Sequence, residues 1–376
     1  MRVFIKIIAF LLVIFTIPPL SISAKSVDVG KISALSACLI EAESERVIYS
    51  KNEQKCMSMA STTKIMTAIL ALESGIPLNK VIKIPKEAVG VEGSSIYLRE
   101  DEEITFEALI YGLLLSSAND SAIAIAISVS ENVENFVALM NEKAAILGLS
   151  NTHFENPHGL YAKEHYTTAY DLAKLMAYCV KNEIFLNISG CYRKTVQADE
   201  NLTRVMINHN RLLRTYEGML AGKTGFTKAS GRCLVTCAER DNLRLIAVTL
   251  DAPDDWHDHT ALLDFGFERY TRLAISKKGD FGISLAVSGG NENKVIAVNS
   301  DDISALLTTN HGEISYKIEA IRPITAPIKS GDILGHVIFY EGQREIANSP
   351  LVAKNEVHIL SNKPNFWTKL KNFFMK

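Results

Sequence analysis

The 376-residue chain has no surplus of either charge, with 40 Lys and Arg against 42 Asp and Glu and a formal net charge of -2. It therefore lacks the concentrated basic character of nucleic-acid binders, and no nucleic-acid partner is expected. No Cys-x-x-Cys pair occurs, and the nearest metal-like cluster, Trp256-His257-Asp258-His259, reads as a polar loop. With 10 prolines, 21 glycines and 47% hydrophobic residues, disordered, collagen-like and low-complexity chains are excluded. After the first two dozen residues no run is apolar for the ~20 residues that a spanning helix needs. What is left is an ordinary globular chain, long enough for two or three domains with real cores.

Residues 1–24 stand apart. Arg2 and Lys6 precede an unbroken apolar stretch from Ile7 to Ile17, followed by Pro18, Pro19 and the small residues Ser21, Ser23 and Ala24. That order is the pattern of an export signal, with cleavage expected near Ala24. Export makes disulfides an option for the six cysteines, Cys38, Cys56, Cys179, Cys191, Cys233 and Cys237. Cys233 and Cys237, four apart on a predicted strand, place their Cα atoms about 13 Å apart, too far to bridge each other. Most of the six are expected to be buried thiols.

From Val29 to Tyr49 the chain reads as short strands, and after Met59 it turns helical, with Ile65, Ile69 and Leu72 on one face before Gly75 and Pro77. Helical character returns over Thr105 to Leu115, breaks at Ser116 to Asp120, and resumes through Ser121–Ser130 and Val133–Leu147, expected to be buried core helix. A further helix is expected from about Ala169 to Lys181, and Arg232 to Leu250 reads as two strands joined by a turn at 239–242. Beyond Arg272 only short alternating runs follow, such as Lys294–Val298, Ile314–Ile318 and Ile333–Phe339. The expected division is a mixed α and β domain over 25–272 and a β-rich domain over 273–360. The segment 361–376 places Phe366, Trp367, Leu370, Phe373 and Phe374 at helical spacing opposite Lys369, Lys371 and Lys376, as in a helix that lies on an anionic membrane.

Three short motifs bear chemistry. Ser61-Thr-Thr-Lys64 opens the first predicted helix, and a spacing of three sets hydroxyl and amine on one face, where a desolvated lysine can take the serine proton. It is the sole Ser-x-x-Lys in the sequence. Ser117-Ala-Asn119 falls at the break between two apolar helices, where a loop presents both side chains to a cleft. Ser130-Glu-Asn132 has the same letters without such a break before it, so Ser117 is preferred. Lys223-Thr-Gly225 sits within Ala221-Gly-Lys-Thr-Gly-Phe226, where glycines permit close backbone approach and Lys and Thr offer a charge and a hydroxyl to a carboxylate.

Taken in order, the three motifs resemble those of the serine penicillin-recognising enzymes. The likeness is closer to the low-molecular-mass D-alanyl-D-alanine carboxypeptidases of peptidase family S11, through Asn156-Pro-His-Gly-Leu160, Thr168-Ala-Tyr-Asp-Leu-Ala173, Gly222–Thr227 and Gly231-Arg-Cys-Leu-Val235. The resemblance implies an α+β fold, an antiparallel sheet flanked by helices, followed by a small β-rich domain. It implies Ser61 as nucleophile, Lys64 as base and Ser117 as proton relay. Asn119 would hold Lys64 and the substrate backbone, Lys223 and Thr224 would take the terminal carboxylate, and backbone N–H groups of Ser61 and Phe226, next to Gly225, would form the oxyanion hole. The implied partners are a stem peptide ending in D-Ala-D-Ala, β-lactams as inhibitors and a membrane surface, and no metal or organic cofactor is implied. One departure is noted: related enzymes often place an arginine after the next strand, and Pro253-Asp-Asp-Trp-His257 has none, which shifts carboxylate binding onto Lys223 and Thr224.

Other readings share the letters. Glu183-Ile-Phe-Leu-Asn187 matches the Glu-x-x-Leu-Asn of class A β-lactamases but lies 66 residues after Ser117, so Glu183 is expected at the polar end of the helix from Ala169. A transpeptidase would use the same acyl-enzyme with an amine acceptor. A catalytically silent wall-binding protein has no use for a lysine beside a serine on one helical face.

Overall fold

The computed structural model of the chain describes residues 29–199 and 202–360. The expected signal segment 1–24 and the terminal amphipathic segment 361–376 lie outside the described residues. The N-terminal part is organised on a five-stranded antiparallel sheet in the order Val47–Lys51, Ser36–Glu41, Leu243–Leu250, Gly231–Arg240, Met219–Thr227. Strands from the beginning and end of this part therefore meet at its centre, which is the α+β arrangement expected. The turn between Gly231–Arg240 and Leu243–Leu250 is tighter than the four residues expected: Asp241 and Asn242 alone make it, both at positive φ. Asp and Asn tolerate that conformation, and it matches the twist of a hairpin.

The central strands are buried on both faces, and alternate residues go to different cores. Leu39, Leu234, Leu245 and Ala247 pack with Leu262 and Leu263 of the helix Asp255–Arg269. Cys38, Ile40, Val235, Ile246 and Val248 pack on the opposite face against a helical layer that includes Ile65, Ile69, Leu109, Leu113 and Leu172. Four of the six cysteines, Cys38, Cys179, Cys233 and Cys237, are buried thiols and all six are free. Burial pushes Cys38, Cys233 and Cys237 up to about 12, so they are inert packing groups.

Two helical expectations need correction. Asn119–Ser130 and Val133–Ile146 are separate helices bent by 85°. The first is buried over Asn119–Ala126, but the second buries only Phe136, Met140 and Ala144, a one-residue-per-turn stripe, and leaves Ile146 exposed. The second correction concerns Glu183, which does not end the helix Ala169–Cys179. It opens the helix Glu183–Gly190, capped by Asn182, whose carbonyl accepts from the N–H groups of Ile184 and Phe185.

The C-terminal part is an antiparallel sheet in the order Gly282–Ala286, Lys294–Asn299, Arg344–Ala353, Ile333–Glu341, Ile314–Ala320, beside the pair Tyr270–Ser276 and Ile303–Thr308. Its core is small, formed by Val295, Ala297, Val337, Phe339, Leu351 and Val357. Tyr270–Ser276 leads the chain from one part to the other, and Arg272 ties them, reaching Glu41 at 2.7 Å, Glu43 at 2.5 Å and Ser304 at 2.7 Å.

Candidate active site

Ser61 lies in a 3-10 turn, Ala60–Thr63, which runs into the helix Lys64–Glu73. The turn is braced from behind by the segment Asn156–Leu160. Asn156 Oδ1 accepts from the N–H groups of His158 and Gly159, making a tight side-chain turn, and Gly159 adopts a φ of 90°. Any Cβ at Gly159 would stand 1.9 Å from the carbonyl oxygen of Ala60, so only glycine lets the two backbones meet. This contact gives the Asn-Pro-His-Gly-Leu stretch a physical role, since it holds the turn that presents Ser61.

Lys64 is wholly buried, and its ammonium nitrogen meets three oxygens: Ser61 Oγ at 3.0 Å, Asn119 Oδ1 at 2.7 Å and the His158 carbonyl at 2.6 Å. Burial lowers its pKa well below the ordinary lysine value, and the charge of Lys223 pushes the same way, while the carboxylate of Asp120 opposes them. Asp120 is itself buried and occupied, accepting from Ser95 Oγ and the N–H groups of Ile96, Leu98 and Ser121. His158 beside Lys64 is held neutral, pushed down to about 3 by burial and then by Lys64.

Ser117 occupies the left-handed region at φ 58°, uncommon for a non-glycine residue. The kink ends Phe106–Leu115 and starts Asn119–Ser130, and it buries both the Ser117 and the Asn119 side chains. Asn119 is fixed at both ends, its Nδ2 donating to the Glu92 carbonyl at 2.5 Å while Oδ1 accepts from Lys64. Ser130 and Asn132, by contrast, bond only to nearby backbone, Ser130 at the far end of this helix and Asn132 as the cap of the next, Val133–Ile146.

Lys223, Thr224 and Gly225 lie on Met219–Thr227, the edge strand of the sheet, where Gly222 N–H and carbonyl are bonded to Ser189 Oγ. A Cβ on Gly225 would come 3.0 Å from the Ser61 nitrogen, so the glycine lets the turn that carries Ser61 lie against this strand. Lys223 is 1% exposed, and its Nζ donates to Ser117 Oγ at 2.9 Å and to the Thr224 carbonyl at 2.8 Å. Burial brings it down to about 7. Phe226 extends into solvent at 66% exposure.

Ser61, Ser117, Thr224, Gly225 and Phe226 thus line one cavity of about 340 Å³, with Lys64 and Lys223 bonded directly to its wall and Asn119 behind them, bonded to Lys64. Five lining residues escaped the sequence reading: Ser94, His209, Arg232, Asp255 and Trp256. Arg232 stood within Gly231-Arg-Cys-Leu-Val235, but nothing in the letters showed that it faces Phe226 across the strand pair. The stretch Trp256–His259, expected as a polar loop, is the first turn of the helix Asp255–Arg269. Its polarity serves the interior: Asp258 accepts from Ser33 and Ala34, and His259 sits between Thr236 and Thr249. No cluster of metal-ligating side chains occurs among the described residues. Glu183 is exposed and does not line the cavity.

Comparison with known proteins decides the family. The sequence matches Peptidase S11, D-alanyl-D-alanine carboxypeptidase, over residues 23–254, and the C-terminal domain of penicillin-binding protein 5 over residues 270–358. The chain belongs to the D-alanyl-D-alanine carboxypeptidase family. It is 33% identical over 355 residues to D-alanyl-D-alanine carboxypeptidase DacF of Bacillus subtilis, covering 90% of this chain and 91% of that one. It is 29% identical to D-alanyl-D-alanine carboxypeptidase DacC of Escherichia coli, covering 92% and 89%. Among solved structures, penicillin-binding protein 5 from Haemophilus influenzae superposes with a TM-score of 0.76 at 26% identity, over 87% of this chain and 98% of that one. The protein is accordingly a serine-type carboxypeptidase on a penicillin-binding-protein scaffold, in agreement with the resemblance carried by its motifs.

Proposed function

We propose that this enzyme removes the terminal D-alanine of peptidoglycan pentapeptide stems through an ester on Ser61, and that β-lactams acylate the same oxygen. The observation that carries the reading is the environment of Lys64 Nζ. A neutral amine has two N–H donors and one lone pair. The Asn119 and His158 oxygens take the two hydrogens, which leaves the lone pair for the hydroxyl proton of Ser61. Burial and the charge of Lys223 favour that neutral form.

In the first step Ser61 Oγ attacks the carbonyl of the penultimate D-alanine as Lys64 accepts its proton. The developing oxyanion lies at the backbone N–H groups of Ser61 and Phe226, donors typically worth ~3 kcal/mol each. Ser117, bonded to Lys223, gives its proton to the leaving amine and takes in its place the one that Lys64 accepted, so the C–N bond breaks, D-alanine departs and Lys64 is neutral again. Water then hydrolyses the ester, returning Ser61 and releasing the shortened peptide. Asn119 positions both Lys64 and the peptide, while Lys223, Thr224 and Gly225 form the strand edge on which the substrate lies. The substrate is a cell-wall polymer, so the reading includes export directed by residues 1–24, a catalytic domain over 25–272, a β-rich domain over 273–360 and attachment to the outer face of the cytoplasmic membrane through 361–376.

D-Alanine release from diacetyl-Lys-D-Ala-D-Ala tests the reading. The wild-type chain releases D-alanine, and Ser61→Ala reduces release to background while keeping its unfolding midpoint. Turnover retained in Ser61→Ala contradicts the assignment of the nucleophile.

A further inference from the structure

We propose that Arg232 reads the free C-terminal carboxylate of the substrate and thereby restricts the enzyme to cleavage at a chain end. The inference rests on the carboxypeptidase reading above and names the group that makes the reaction exo-acting.

Position comes first. Arg232 faces Phe226 directly across the antiparallel pair, and facing residues project to the same side of a sheet, as does Thr224 two residues before Phe226. All three line the cavity that contains Ser61. The guanidinium is held from the opposite wall by the helix Asp255–Arg269. Asp255, with a side chain only 4% exposed, pairs with Arg232 at 3.0 Å, and the Trp256 ring lies under the guanidinium at 5.8 Å, with Arg211 over the same ring at 5.2 Å. Arg232 itself remains 44% exposed, so its anchoring does not remove it from the cavity.

Charge makes the second argument. Lys223 is the cation named for the carboxylate in the motif, yet its Nζ is committed to Ser117 and Thr224, and burial brings it down to about 7. Burial thus works against its positive charge. A guanidinium keeps its charge throughout, offers five N–H donors and matches a carboxylate in bidentate fashion. Asp255 faces one nitrogen and leaves others for a ligand. The stretch 253–257 contributes the acid and the ring that hold Arg232 in place.

The test uses the full-length enzyme and two peptides, diacetyl-Lys-D-Ala-D-Ala and its C-terminal amide. Arg232→Gln lowers kcat/KM on the acid by about 10- to 100-fold, the loss of a charged hydrogen bond, chiefly through KM. On the amide it changes little, so the preference for the free acid collapses. Arg232→Lys restores part of that preference, and Asp255→Asn, which loosens the guanidinium without removing it, gives a smaller loss with the same selectivity for the acid. An unchanged acid-to-amide ratio in both Arg232 variants, or equal losses on both peptides, overturns the proposal. Absence of D-alanine release by the wild-type enzyme would instead count against the carboxypeptidase reading.

Discussion

The chain spells Ser-x-Asn at both ends of one helix, and the two copies have opposite fates. At the start of Asn119–Ser130, Ser117 and Asn119 are buried, with Ser117 at positive φ and bonded to Lys223, and Asn119 bonded to Lys64. At the end, Ser130 Oγ donates to the Ala126 carbonyl one turn back, and Asn132 Oδ1 accepts from Asn135 N–H at 2.7 Å as the cap of the next helix. Identical letters become partners of two buried lysines in one place and a helix cap in the other. The difference lies in what the fold brings to them: two lysines, from a helix and from a strand 104 residues after Asn119, converge on the first copy and none on the second.

The largest contrast is expected in turnover. Ser117→Ala lowers kcat/KM on a D-Ala-D-Ala peptide by at least about 100-fold, the usual scale of a lost proton relay. Ser130→Ala stays within about twofold of wild type, because its hydroxyl serves only the end of a helix. Comparable losses in both variants would erase the distinction between the two copies.

A second, intermediate effect concerns pH. Lys64 must be neutral to act, so kcat/KM rises with pH as Lys64 loses its proton; Lys223 must be charged, so the same profile falls as pH passes through about 7. A bound carboxylate favours the charged form of Lys223 and moves the falling limb of kcat to higher pH than that of kcat/KM. Lys223→Arg, with a cation that keeps its proton, works more slowly but shifts the falling limb of kcat/KM upward by at least about two units. Ser130→Ala leaves both limbs in place. A falling limb unmoved by Lys223→Arg would detach Lys223 from the profile.

The smallest effect is on stability alone. Asn132→Ala removes a helix cap and costs about 1 kcal/mol, read as a lower unfolding midpoint with unchanged kcat/KM. Should activity fall in proportion, the second copy has a role that its contacts do not reveal.

Much of this was legible in the sequence because it is local. Ser61 and Lys64 share a face by spacing alone, the break after Leu115 is written in Ser116–Asp120, and the glycines at 222 and 225 mark where backbone can be approached closely. Alternation likewise revealed the strands Lys294–Asn299, Ile314–Ala320 and Ile333–Glu341. What was not legible depends on partners distant in the chain. Asp258 looks like loop polarity until its carboxylate is seen bonded to Ser33 and Ala34, more than 220 residues earlier. Arg232 has meaning only with Phe226 across the sheet and Asp255 on the next helix. Val133–Ile146 has enough apolar letters for a core helix, but it fully buries a single stripe, Phe136, Met140 and Ala144, with Val133 and Val137 half-buried beside it.

In the proposed mechanism Ser61 Oγ, with Lys64 as its base, is the oxygen that becomes acylated. The most direct measurement is intact-protein mass spectrometry after incubation with benzylpenicillin, followed by peptide mapping of the adduct. The account predicts one penicilloyl group per chain, on the peptide that contains Ser61, and none on Ser61→Ala. An adduct mapped to another residue, or one that persists in Ser61→Ala, would contradict it.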